Sequence, residues 1–61
     1  MNINQADLEE LMKLPGIGES IATSILEHRN KNGNFKKKED IKNVSGIGES
    51  KYSKIKDKIT V

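Results

Sequence analysis

Leu14-Pro15-Gly16-Ile17-Gly18-Glu19-Ser20 is echoed thirty residues later by Val44-Ser45-Gly46-Ile47-Gly48-Glu49-Ser50. The chain repeats itself. Each copy sets two glycines around one isoleucine where one helical pattern stops and another begins. A loop of this kind exposes backbone N–H groups at a helix start, where anions bind.

In the tetrad Leu14 to Ile17, proline stands second and glycine third, the combination a type II turn requires. Pro15 also pushes Leu14 out of the α region, so the preceding helix has to stop there. That first helix is predicted to start at Asp7, with Glu10 three residues on in a capping-box arrangement. Leu8, Leu11 and Met12 give it one apolar face, and Ile3 anchors the irregular terminus Asn2 to Gln5.

Gly18 opens a second helix, from Glu19 to about Lys31, striped by Ile21, Ala22, Ile25 and Leu26. Asn32-Gly33-Asn34 ends it. Phe35, the one phenylalanine, is expected to be buried between the halves. A short third helix is predicted over about Lys38 to Asn43, with Ile41 inward and Val44 just beyond. A fourth runs from Glu49 to about Lys58, with Tyr52, Ile55 and Ile59 on one face. Thr60-Val61 is read as a tail, with Val61 packing back.

The duplication extends beyond the loops. A shift of thirty aligns Glu9 with Glu39, Leu11 with Ile41, Leu14 with Val44, Ile25 with Ile55 and Glu27 with Asp57. Two helix–loop–helix units of this kind pack about a pseudo-two-fold axis, which sets both glycine loops on one side of the molecule.

At 61 residues the chain holds one small core, good for roughly 3–5 kcal/mol without staples. The economical answer is a compact, all-helical unit. With no cysteine there is no disulfide framework and no thiolate metal site. The apolar third of the chain is spread evenly, so the sequence contains no transmembrane helix or signal peptide. Charge is uneven. Residues 1–30 carry Lys13 and Arg29 against five carboxylates, and residues 31–61 carry nine lysines against four. An acidic half joined to a basic half points to a polyanion partner, or to a solvated lysine-rich face.

Enzymatic chemistry finds no support. The sole histidine, His28, has no nucleophile paired with it and no second ligand for a metal. Gly16-x-Gly18 continues to Ile21 rather than to a third glycine, and no Gly-Lys-Ser/Thr follows, so neither nucleotide-binding loop is present. No cofactor is expected.

Taken together, Leu-Pro-Gly-Ile-Gly, Ala22, Arg29, the Gly33-x-Phe35 linker and Val-Ser-Gly-Ile-Gly resemble a tandem helix-hairpin-helix domain. More narrowly, they are similar to the C-terminal DNA-binding domain of ComEA-type competence proteins. The similarity runs from Ile3-Asn4 to Ile59-Thr60-Val61. It implies a single all-α, SAM-like domain over 1–61, with four to five short helices in pseudo-two-fold symmetry. Repeat one then covers about 7–31, the linker 32–36 and repeat two about 37–61.

The resemblance also implies sequence-independent binding of double-stranded DNA, with hairpin amides on phosphates across the minor groove. By position, Gly16, Ile17, Gly18, Gly46, Ile47 and Gly48 inherit that role, with Ser20 and Ser50 as hydroxyl donors. The family context is DNA uptake by a protein facing outward on an upstream membrane anchor; the domain itself is expected to be monomeric, without a small-molecule substrate. Two alternatives stay open. One is a structural or protein-interaction module, as in an extrinsic photosystem II subunit family; the other is the DNA-binding module of a repair protein.

Glycine lets the backbone approach a phosphate, and the helix start supplies donors and a favourable dipole. Ile17 and Ile47 are expected to point inward. Glu19 and Glu49 would repel a phosphate and are expected to turn aside. At 100° per residue Lys51, Lys54 and Lys58 form a stripe on the fourth helix, and their counterparts are Ile21, Ser24 and His28. Family members commonly carry a lysine where Ile21 stands, so Lys51 and Lys54 are expected to make the second hairpin the main source of attraction. Lys36-Lys37-Lys38 is expected to lie away from that face, with the third helix prone to fray. Tyr52, opposite Ala22, is read as core filling.

Overall fold

The computed structural model describes residues 1–61. Asp7 starts the first helix, α1 (Leu8–Met12), by accepting from the Glu10 amide at 2.9 Å, while the Glu10 carboxylate accepts from the Asp7 amide at 3.1 Å. Two orphan donors are satisfied reciprocally. A five-residue helix has little stability of its own and depends on packing. Leu11 is fully buried and Leu8 half-buried, but Met12 is 41% exposed, so the apolar face is narrower than its spacing predicted.

The second helix, α2 (Glu19–Asn32), buries Ala22 and Ile25, with Ile21 and Leu26 at the edge of the core. It ends at Gly33, whose φ of +86° is accessible to glycine at no steric cost. Phe35 follows and is buried as expected. Its position is fixed by Asn4: the Phe35 amide donates to Asn4 Oδ1 at 2.7 Å, and Asn4 Nδ2 donates to the Phe35 carbonyl at 2.9 Å. The His28 ring stacks on Phe35, with centroids 5.2 Å apart and planes 3° off parallel.

The third helical element, Lys38–Asn43, is a 3₁₀ helix rather than an α-helix. Its start is held by Asp40, whose carboxylate accepts from the amides of Lys36 and Lys37 at 3.2 and 3.3 Å. Lys38 Nζ donates to the Lys56 carbonyl at 2.8 Å, tying this element to the end of the next. Lys38 of the lysine run thus caps neighbouring backbone, and Ile41 of the same element is fully buried.

The last α-helix, α3 (Glu49–Ile55), is shorter than predicted and passes into a 3₁₀ turn, Lys56–Lys58. Ile59 lies beyond both in extended backbone, and it is buried because the chain returns to the core, not because it shares a helical face with Ile55. Thr60 pairs with Asn2 in a parallel bridge: the Ile3 amide donates to the Thr60 carbonyl at 3.0 Å and the Thr60 amide to the Met1 carbonyl at 2.7 Å. Arg29 Nη1 reinforces this clasp by donating to the Ile3 carbonyl at 2.6 Å. Val61, expected to pack back, is 40% exposed, so backbone pairing holds the tail in its place.

The repeat in sequence is a repeat in burial. Leu11 and Ile41, Ile25 and Ile55, Leu14 and Val44, and Ile17 and Ile47 are buried alike in one cluster of 13 residues, which also takes in Ile3, Ala6, Phe35 and Ile59. The symmetry breaks where Ala22 is buried and Tyr52 only half-buried, its larger ring packing at the edge. The chain is all-α, and no helix is long and apolar enough to cross a membrane.

Candidate nucleic-acid interface

Both hairpins close with the same bond. The Ile17 amide donates to the Leu14 carbonyl, and the Ile47 amide to the Val44 carbonyl, each at 3.1 Å. Gly16 and Gly46 carry φ of +78° and +96°, the positive value a type II turn requires at its third residue. Ser45 replaces Pro15 without changing the turn, because proline only presets a φ that serine can also adopt. Ile17 and Ile47 are buried as expected and anchor the loops in the core.

Gly18 and Gly48 are the N-caps of α2 and α3, with φ of −93° and −107°. These values suit any residue, so backbone strain does not explain glycine there. Nor does crowding within the chain: a Cβ at either position meets nothing within 4 Å, so the approach to the helix start is open. The first ladder bonds are Ala22 to Gly18 at 2.9 Å and Tyr52 to Gly48 at 3.0 Å, and neither helix has a side-chain cap. The amides of Glu19, Ser20 and Ile21, and of Glu49, Ser50 and Lys51, thus have no acceptor within the chain. Helix α1, by contrast, is fully boxed by Asp7 and Glu10. At the two hairpins these open donors stand beside Ser20 and Ser50, which are exposed.

The two repeats cross over. The Cβ position of Gly46 lies 3.2 Å from Ile21 Cγ1, and that of Gly16 lies 3.9 Å from both Cγ and Cε of Lys51. Each repeat's hairpin is therefore covered by the third helical residue of the other repeat. This reciprocal contact sets the two hairpins beside each other. It also bears on the expected partition of charge, because the Lys51 stem lies over the first hairpin and Ile21 over the second. Lys54 is exposed on α3, whereas Lys58 belongs to the 3₁₀ turn, outside the helical stripe.

Lys42 was not among the residues singled out from the sequence. Its Nζ donates to Glu49 Oε1 at 2.8 Å and lies 5.0 Å from the centre of the Tyr52 ring. The hydrogen bond from Lys42, reinforced by its charge, holds the Glu49 carboxyl below the usual carboxylate range. The same bond raises Lys42 above the ordinary lysine value. Met12 stands at the matching place in repeat one, and Glu19 has no ion-pair partner. Comparing the copies for a cation facing Glu49 would have found Lys42. Periodicity could not, since a turn separates the two.

His28 packs on Phe35 with its Nδ1 buried and without a partner. No group of three His, Asp or Glu side chains converges to hold a metal.

The helix-hairpin-helix motif matches residues 1–60. The chain is 52% identical over its whole length to ComE operon protein 1 of Bacillus subtilis, of which it spans 30%. It is 49% identical over its whole length to the human endonuclease/exonuclease/phosphatase family domain-containing protein 1, spanning 11% of that protein. An uncharacterized Haemophilus influenzae protein is 42% identical over 97% of this chain and 54% of its own length. The chain thus spans a third or less of the two most similar of these proteins. With both turns formed and the motif matched almost end to end, the chain belongs to the helix-hairpin-helix family.

Proposed function

We propose that this chain is a single tandem helix-hairpin-helix domain that binds double-stranded DNA without base preference. The open amides around Gly16 and Gly18 and around Gly46 and Gly48 clamp phosphates on the two sides of the minor groove, while Ile17 and Ile47, whose amides close the turns, hold each loop in shape. The observation that carries this reading is the paired, uncapped helix start. Helices α2 and α3 both begin at glycines with open space above them and no side-chain cap, while α1 carries a capping box.

Ser20 and Ser50 add hydroxyl donors, and Lys51 and Lys54 supply positive charge. The module acts by binding and not by catalysis, as a monomer on the phosphate backbone. Similar modules occupy small parts of otherwise different relatives, which supports a portable DNA-holding unit. We place it in DNA uptake during competence, following its likeness to ComEA-type domains.

The test is a salt titration of binding to two unrelated duplexes by fluorescence anisotropy. Contact with two to four phosphates gives a log–log slope of about −2 to −4, equal for both sequences. A flat response or a strong base preference contradicts the clamp. Absence of binding at low salt favours a protein-interaction module instead.

A further inference from the structure

Glu49 is the first residue of α3 and stands beside the second hairpin, where a phosphate would meet its negative charge. Helix-dipole arguments favour a carboxylate there in the free protein, yet the same charge opposes an anionic ligand. Lys42 resolves the conflict. It reaches across the turn from the preceding 3₁₀ helix and binds Glu49 Oε1 at 2.8 Å. Its Nζ is also placed 5.0 Å from the Tyr52 ring centre, which restricts where the ammonium can go. Lys42 is one-third exposed, while the Glu49 side chain is 84% exposed and could otherwise swing freely.

The first repeat is built differently. Met12 occupies the place of Lys42, Glu19 is unpaired, and the cation over the loop is Lys51 from the other repeat. The second repeat has Ile21 over its loop and so has no such cation. From these contacts we infer that Lys42 is a positioning residue of the second hairpin. It holds and neutralises Glu49 so that a DNA phosphate can approach Gly46 to Gly48, and it does not itself contact the phosphate. This rests on the duplex-binding reading above.

Lys42→Met keeps a stem to pack on Tyr52, removes the charge, and reproduces the first repeat's residue. Binding of the whole chain to a duplex at low salt is expected to weaken about threefold or more in Lys42→Met, the scale of an exposed charge pair. Lys42→Met/Glu49→Gln is expected to return to within twofold of the native protein, and Glu49→Gln alone to bind at least as tightly as native. Thermal melts establish that each variant is folded. Native-like binding by Lys42→Met overturns the inference. Failure of Glu49→Gln to rescue it also overturns the inference, because Lys42 then contacts the DNA directly. Loss of binding by the native chain itself overturns the duplex reading, a result distinguishable from both.

Discussion

Lys51 Cγ and Cε lie 3.9 Å from the point where a side chain on Gly16 would begin, so a lysine of the second repeat lies against the hairpin of the first. Ile21 makes the reciprocal contact with Gly46, at 3.2 Å. The pseudo-symmetric positions are chemically unlike, and the two hairpins inherit the difference crosswise.

This crossing sets an expectation for charge. Lys51→Met removes one cation from beside the first hairpin, and about one phosphate's share of the salt slope, near 0.9, is expected to disappear with it. Ile21→Lys places a cation over the second hairpin instead. The Lys51 stem already fits the equivalent site, so folding is expected to be retained and the slope to steepen by a similar amount. Salt titrations of the two variants check this, and an unchanged slope in both contradicts it.

Gly16 and Gly46 are expected to resist substitution for different reasons. Both have positive φ, so Gly16→Ala carries the left-handed penalty of about 1–2 kcal/mol. Gly46→Ala meets the same penalty and also crowds Ile21 at 3.2 Å, whereas Gly16→Ala makes only ordinary contact with Lys51. Urea denaturation is therefore expected to rank Gly46→Ala below Gly16→Ala. The reverse order contradicts the packing described here.

The Lys42–Glu49 pair has a defined pH signature. Glu49 is lowered by the hydrogen bond from Lys42, so its contribution is present above the unfolded carboxyl pKa and lost as pH falls through the folded one. Lys42 is raised by the same bond, so its contribution is present below the unfolded lysine pKa and lost as pH rises through the folded one. The melting-temperature difference between native and Lys42→Met is expected to be small, flat across neutral pH, and gone in acid. A difference that persists after Glu49 is protonated assigns the effect to the Tyr52 contact alone.

Much of the fold is legible from residues whose role is local. Asp7 with Glu10, Pro15, the positive-φ glycines and the buried pairs Leu11/Ile41 and Ile25/Ile55 all follow from capping, turn chemistry and periodicity. What those rules leave out is decided by contacts distant in sequence. Asn4 holds Phe35, Arg29 holds Ile3, and Thr60 pairs beside Asn2, which is why the tail is fixed while Val61 stays exposed. The same limit applies at the site. The glycines and serines of the hairpins could be named from the repeat, but the crossing of Lys51 to Gly16 is a property of how the repeats pack.

The most direct test concerns Gly18 and Gly48. Serine suits their φ and meets no neighbour, and its hydroxyl would cap the open amides as a good N-cap does. The measurement is duplex affinity of Gly18→Ser/Gly48→Ser beside its thermal melt. If these amides hold phosphate, the double variant melts at or above the native temperature yet binds at least about tenfold more weakly, roughly the loss of one or two charge-assisted hydrogen bonds. Native affinity in a folded double variant would contradict the clamp.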